Sequence, residues 1–437
     1  MKSLRAYSNV GKMRLNMLLR RQAIRNYPVK AYIEPTLFCN LRCPACPTGL
    51  QFGLRPSATM DVNLFKQAID EMGPYLFDLW MFNWGEPLLH RQTPEMIRYA
   101  KNKGIDKIRL SSNMSIPFTD DYIDRLVSSG LDELIVSLDG ASPETYSHYR
   151  RKGEFDLVCR NMKRIQEAKA RLGSTTPEII WQYLVFRHNE HEIGIAQAEY
   201  REWGADRLSV HGAEMPNGEE ADQFAPSTLP EHNIYHADHP YRKLLQNYKA
   251  SKLPCSWLYG VFLLNPNGKV SPCCAVQEEK DDFSELALGG SFHEAWNSER
   301  FRQARVGGSK RRVKSPAASE KQERKEERRK TASLPILYAS GLPQEAEGEL
   351  ICETCPIPHR QAEALDTINV AAEELVRSFH REPSPWKKSR LLLLYLLMGA
   401  PAARRRLPDI LSLGAPNLRV FVRTLGHVML HAVPRAK

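Results

Sequence analysis

Lys30-Ala-Tyr-Ile-Glu-Pro-Thr-Leu-Phe-Cys39-Asn-Leu-Arg-Cys43-Pro-Ala-Cys46 is the stretch on which the fold turns. Lys30–Pro35 is a short β-rich run that predicts a strand, and three thiols follow it inside one tight loop. Three thiolates at this spacing can hold three irons of a four-iron cluster and leave the fourth iron open. Zinc is the alternative, but a structural zinc site takes four closed ligands, and no fourth Cys or His lies within the loop.

Outward from this loop the chain repeats one pattern to about residue 213. β-rich runs stand at Lys30–Pro35, Phe77–Trp84, Lys107–Ser112, Glu133–Ser137, Glu178–Phe186 and Asp206–His211. Between and after them, helical spacing fits 62–73, 93–103, 119–129, 155–171 and 190–202. Gly104, Gly130, Gly173 and Gly204 fall at or near helix ends, where glycine belongs. Strand–helix alternation implies parallel strands with right-handed crossovers. The expectation is an α/β fold, an incomplete (β/α)6 barrel over 30–213, with a doubly wound open sheet as the alternative. In barrel folds chemistry gathers at the C-terminal ends of the strands.

A C-x3-C-x2-C loop after a first strand resembles the radical S-adenosylmethionine superfamily, of which it is the defining motif. The resemblance implies a [4Fe–4S] cluster on Cys39, Cys43 and Cys46 whose open iron chelates S-adenosylmethionine. One electron then cleaves the sulfonium, and the resulting 5′-deoxyadenosyl radical takes a hydrogen from substrate. Asn83-Trp-Gly85-Glu86-Pro87 looks like the family's Gly-Gly-Glu-Pro motif, with Trp84 in place of the first glycine. Glu86 would accept the methionine ammonium, with the backbone of Asn83 to Gly85 alongside. Ser112 and Asn113 close the third strand, and Ser137 closes the fourth where the family makes ribose or carboxylate contact. Arg150 matches an arginine that can pair the carboxylate. Ala45 departs from the bulky residue usual before the third cysteine. Taken singly, each of these short motifs reads equally as a turn; their order at successive strand ends gives them weight. Gln182, His188, Asn189 and His211 stand where substrate is expected, with structural hydrogen bonds as the alternative, and Cys159 reads as a buried small side chain.

A second cysteine set follows a connector at 214–254. Cys255, Cys273 and the pair Cys352 and Cys355, with Asn265-Pro-Asn-Gly268 as a turn between short strands at Val261–Asn265 and Lys269–Pro272, resemble the SPASM extension. A full SPASM pattern has seven cysteines. Four remain here, which suits one auxiliary [4Fe–4S] cluster as in the reduced "twitch" form. Cys274 competes with Cys273 as ligand, and a zinc ribbon competes with the cluster. Phe292–Ala304 has helical spacing. The module spans 255–360, with a low-apolarity insertion at 307–350.

The 437 residues are 42% hydrophobic and 26% charged, which excludes a wholly disordered or multi-span membrane chain. The net +10 is unevenly placed. Segments 1–30, 307–332 and 387–437 carry +8, +6 and +9, leaving −13 for the rest. The N-terminal segment 1–29 sets Met13, Met17, Leu18 and Ile24 among Lys12, Arg14, Arg20 and Arg21, and the tail 361–437 has apolar runs between cations. Such basic helical termini either pack on the barrel, with the cations as a solvated face, or make peripheral contact with an anionic membrane. Nucleic acid is disfavoured, because the cations are not interleaved with stacking aromatics. Nine clustered cysteines and no signal-like run point to a cytoplasmic protein, with the inner face of the membrane as a second address. The expected enzyme takes electrons from a low-potential donor and oxidises or modifies a small polyol, sugar or lipid-linked head group. Maturation of a ribosomally made peptide is the alternative, and a zinc-stabilised basic binding protein is the reading of another class.

Overall fold

Each β-rich run forms a strand: β1 (Lys30–Ile33), β2 (Asp78–Trp80), β3 (Lys107–Ser112), β4 (Glu133–Ser137), β5 (Glu178–Val185) and β6 (Arg207–Gly212). The computed structural model describes residues 2–44, 46–49, 55–213, 224–237, 239, 254–307 and 367. Ala45, Cys352 and Cys355, most of the connector, the insertion beyond 307 and the C-terminal tail except Thr367 lie outside the described residues. The six strands lie side by side in chain order and all parallel. This is the expected succession of β/α units, and it delivers the loops after all six strands to one end of the sheet.

The crossovers are amphipathic helices. In α2 (Val62–Met72), Leu64, Phe65, Ala68, Ile69 and Met72 are buried, and the N-cap Asp61 accepts from the Asn63 amide. α3 (Thr93–Asn102), α4 (Asp120–Val127), α5 (Pro143–Tyr149), α6 (Phe155–Leu172) and α7 (Ile193–Glu199) follow. Gly173, at φ +65°, ends α6 in the left-handed region that favours glycine.

β1 is not an edge. On its far side β7 (Val261–Leu264) pairs parallel to it from Lys30↔Val261 to Ile33↔Leu264, and β8 (Lys269–Ser271) and β9 (Ser284–Glu285) add antiparallel strands. The cysteine-bearing segment after 254 is therefore built onto the strand that leads into the first cysteine loop. The helix expected over 292–304 is two helices, Phe292–Trp296 and Glu299–Gly307. The break falls at Asn297, whose side chain leaves the helix path to accept from Ile24 N and donate to Ile24 O, at 2.8 and 2.9 Å.

The N-terminal segment packs along one face, one of the two readings its sequence leaves open. It forms α1 (Leu4–Leu18), which packs against the sheet assembly: Ala6, Val10 and Met13 are inaccessible, and Met17 and Ile24 are buried. Asn9 bonds both N and O of Tyr27, and Asn26 donates to Tyr259 O at 2.7 Å. Met13, Met17 and Ile24 therefore face the core and not a membrane; of the four apolar residues named, only Leu18 is exposed. Among the described residues no helix is long and apolar enough to cross a membrane.

Candidate active site

The end of β1 runs into the cysteine loop. Cys39, Cys43 and Cys46 line a cavity of about 160 Å³ together with Gly85, Glu86, Ser112, Asn113, Ser137 and Arg150. Every residue singled out for the first site is thus brought to one place, from four strand ends and the end of α5. The loop is held by Cys46 N donating to Cys43 O at 3.1 Å and Arg42 N donating to Arg151 O at 2.9 Å. Burial pushes the Cys39 thiol up to about 12 and the Cys43 thiol to about 11, with Arg150 pulling Cys43 the other way. Thiols in such a setting ionise when a cation neutralises them, as iron does. Among the described residues no three His, Cys, Asp or Glu side chains converge on a single metal-ion position. The thiols instead ring a cavity, an arrangement that fits a multi-iron cluster.

Glu86 is fully enclosed. Its Oε1 accepts from Ser112 Oγ at 2.8 Å and Leu88 N at 3.1 Å, and its Oε2 accepts from Asn113 N at 2.7 Å. Burial raises its pKa to about 7 against these hydrogen bonds. Asn113 Nδ2 donates to Asn40 Oδ1 at 2.9 Å and points at Cys39 Sγ at 3.9 Å, tying the third strand's loop to the cysteine loop. Ser137 Oγ pairs with Ser111 Oγ at 3.4 Å. Arg150 donates from Nε to Asp139 Oδ2 at 2.6 Å and directs an N–H at Cys43 Sγ at 3.8 Å. Asp139 is buried and also accepts from Leu184 N, so the guanidinium is fixed from behind.

Two residues that the sequence left unremarked, Glu34 and Arg55, complete the site together with Trp84. Glu34, one residue beyond β1, accepts from Trp84 N and Gly85 N through Oε1, each at 2.5 Å. Burial raises its pKa to about 7. Gly85 must be glycine here, because a Cβ would stand 1.9 Å from Thr36 O. Arg55, its side chain 5% exposed, forks onto Asp282 at 2.5 and 2.8 Å. Trp84, the departure from the family motif, donates from its indole to Val276 O at 3.2 Å. Phe38, Cys39, Arg42, Arg55, Trp84 and Gln277 are among the walls of a second cavity of about 350 Å³ beside the first. The signal for Glu34 was an acid at the C-terminal end of an apolar strand; Arg55 and Asp282 are 227 residues apart and carried none.

Of the second cysteine set, Cys255 and Cys273 are half-buried and Cys274 is buried in the core. Of the four residues near the fifth and sixth strands, Asn189 is structural: its side chain bonds Phe186 N and Leu184 O. His211 pairs with Ser209 Oγ. His188 lies against His148 and Phe186, with both ring nitrogens buried and lacking a hydrogen-bond partner. Gln182 lies in β5, paired in register with Ser137.

A family model described as the radical SAM superfamily matches residues 33–178, and one described as SPASM, an iron–sulfur cluster-binding domain, matches 255–323. The chain is 25% identical over 315 residues to the AdoMet-dependent heme synthase of Methanosarcina barkeri, covering 65% of this chain and 86% of that one. It is 25% identical over 294 residues to mycofactocin maturase MftC of Mycolicibacterium smegmatis, covering 64% and 72%. It is 23% identical over 291 residues to the PqqA peptide cyclase of Xanthomonas campestris pv. campestris, covering 62% and 73%.

Proposed function

This chain belongs to the radical SAM superfamily and carries a C-terminal SPASM iron–sulfur domain, and we propose that its substrate is a ribosomally made peptide. It is an enzyme that needs a [4Fe–4S] cluster, S-adenosylmethionine and a reductant. When bound, these supply a carbon radical that removes a hydrogen from the substrate. In our reading Cys39, Cys43 and Cys46 hold three irons, and Arg150 sets a positive charge beside Cys43. Glu86, fixed by Ser112 Oγ and Asn113 N, accepts the methionine ammonium, and Glu34 holds the adjoining backbone at Trp84 and Gly85 in place. Ser137 and Asn113 line the same cavity as orienting contacts. Cys255 and Cys273, with Cys352 and Cys355, hold one auxiliary [4Fe–4S] cluster; the burial of Cys274 in the core supports Cys273 as the ligand.

The observation that carries the peptide reading is the similarity to a maturase and a peptide cyclase over more than 290 residues each; beside the cysteine loop the substrate would meet a cavity of about 350 Å³ with Arg55, Trp84 and Gln277 in its wall. It lies at the small end of ligand pockets, which run from about 300 to 1,000 Å³. A maturase and a peptide cyclase among the relatives support a peptide over the polyol, sugar or head group placed first from sequence. The heme synthase match makes a tetrapyrrole the competing substrate.

Reduced, anaerobically reconstituted enzyme with S-adenosylmethionine and the short peptides encoded beside its gene tests the reading. A peptide that stimulates 5′-deoxyadenosine release and changes mass is expected. Modification of a porphyrin or polyol with every such peptide left intact would overturn it.

A further inference from the structure

α1 has two apolar faces. The inner one, through Ala6, Val10, Met13 and Met17, is packed. The outer one carries Leu4, Leu15 and Leu18, exposed by 46%, 51% and 65%, and Leu19, the residue just past the helix, is 56% exposed. At 3.6 residues per turn the three within the helix fall within about 60° of one another around its axis. With Leu19 they are half of the large apolar side chains exposed among the described residues. Exposed Arg5, Lys12 and Arg21 flank them, and residues 1–30 contain no Asp or Glu at all.

We infer that this outer face of α1 docks the enzyme on an anionic lipid surface. The argument is charge and shape. Leucines along the convex side of a helix present ridges and no groove, which suits a fluid interface that closes around them. The cations around them call for negative charge, which an anionic bilayer offers and which the basic tail and the same face of a second copy lack. The segment 387–437 of the same chain is itself at +9. A second copy would bring one acid-free, cationic face against another. The enzyme would then work with its barrel held at the bilayer surface, whatever its substrate, so this inference stands apart from the peptide reading.

The test is flotation of the full-length, cluster-reconstituted enzyme with phosphatidylcholine vesicles, with and without phosphatidylglycerol. At about 0.1 M salt, partition should be at least roughly tenfold higher with the anionic lipid. Leu18→Glu with Leu19→Glu should lower it at least tenfold while leaving melting temperature and 5′-deoxyadenosine release unchanged. Arg5→Gln with Lys12→Gln and Arg21→Gln should erase the preference for phosphatidylglycerol. A wild-type enzyme that stays with the soluble fraction overturns the inference. So does flotation untouched by both variants, which would assign binding to another part of the chain. A lipid-independent dimer that the leucine variant abolishes would assign the face to a second copy.

Discussion

Replacing Glu34 by glutamine isolates the carboxylate that holds the backbone of Trp84 and Gly85 in the proposed S-adenosylmethionine site. Glu34 is 1% exposed, and desolvation lifts its pKa from 4.5 to about 7 despite the two amides it accepts and the charge of Arg55. Below pH 4.5 the group is protonated in both the folded and unfolded chain. Between 4.5 and 7 the unfolded chain releases the proton while the folded one keeps it, so stability falls as pH rises through that window. Above 7 both states are ionised and the full penalty is in place. At 1.36 kcal/mol per pKa unit, the shift corresponds to about 3 kcal/mol. The glutamine keeps an oxygen acceptor for Trp84 N and Gly85 N but has no proton to release. Thermal melts of wild type and Glu34→Gln at intervals from about pH 5 to about pH 8 should therefore diverge in the variant's favour. At a few degrees per kcal/mol, the gap should change by roughly 5 °C across the range. Curves that stay parallel would mean that Glu34 is ionised throughout, and the reasoning from burial would fail.

Gly85→Ala places a Cβ 1.9 Å from Thr36 O and 2.9 Å from Leu37 Cα, both backbone. Such overpacking costs roughly 1–3 kcal/mol, and 5′-deoxyadenosine release measured by chromatography should fall by more than tenfold as the loop moves off the cysteine loop. Arg55→Ala takes the forked cation from buried Asp282 and leaves it the Ser271 hydroxyl, a loss of up to roughly 3–5 kcal/mol; adding Asp282→Ala should recover much of it in a double-mutant cycle of melting curves. Cys352→Ala with Cys355→Ala should halve the iron per chain while S-adenosylmethionine cleavage continues at the first cluster. Loss of all iron would argue against an auxiliary cluster on these residues.

Most of the sheet was legible because its signals are local. β3 and β4 keep the boundaries read from the sequence, since each is an alternating or apolar run between polar turns, and the six parallel strands follow from the alternation alone. The first site was legible for the same reason: Cys39, Glu86, Asn113 and Ser137 each sit at or just after the end of a strand, and a parallel sheet gathers strand ends at one rim. The rest depends on contacts between distant segments. The periodicity of 4–18 shows an apolar stripe without showing what it meets, so packing and membrane contact both stay open; Met13 meets the core. The break at Asn297 is made by Ile24, 273 residues away. The pairing of β7 with β1 is likewise invisible from either strand alone, both being short apolar runs.

That β1–β7 pairing changes how the two cysteine sets relate. β1 leads into Glu34 and Cys39, while β7 turns back into the antiparallel β8, which leads into Cys273, so one sheet carries both cysteine segments on strands two places apart. Trp84 closes the span: its backbone N–H rests on Glu34, and its indole rests on Val276, three residues past Cys273. Arg55 fastens the same segment from the other side by donating to Val276 O and gripping Asp282. A glycine at 84 would keep the backbone half of this contact and lose the indole half. The tryptophan that breaks the family motif is therefore the residue that joins the S-adenosylmethionine loop to the second cysteine segment. Any movement of that segment on ligating its irons would be felt first at the backbone of Trp84 and Gly85.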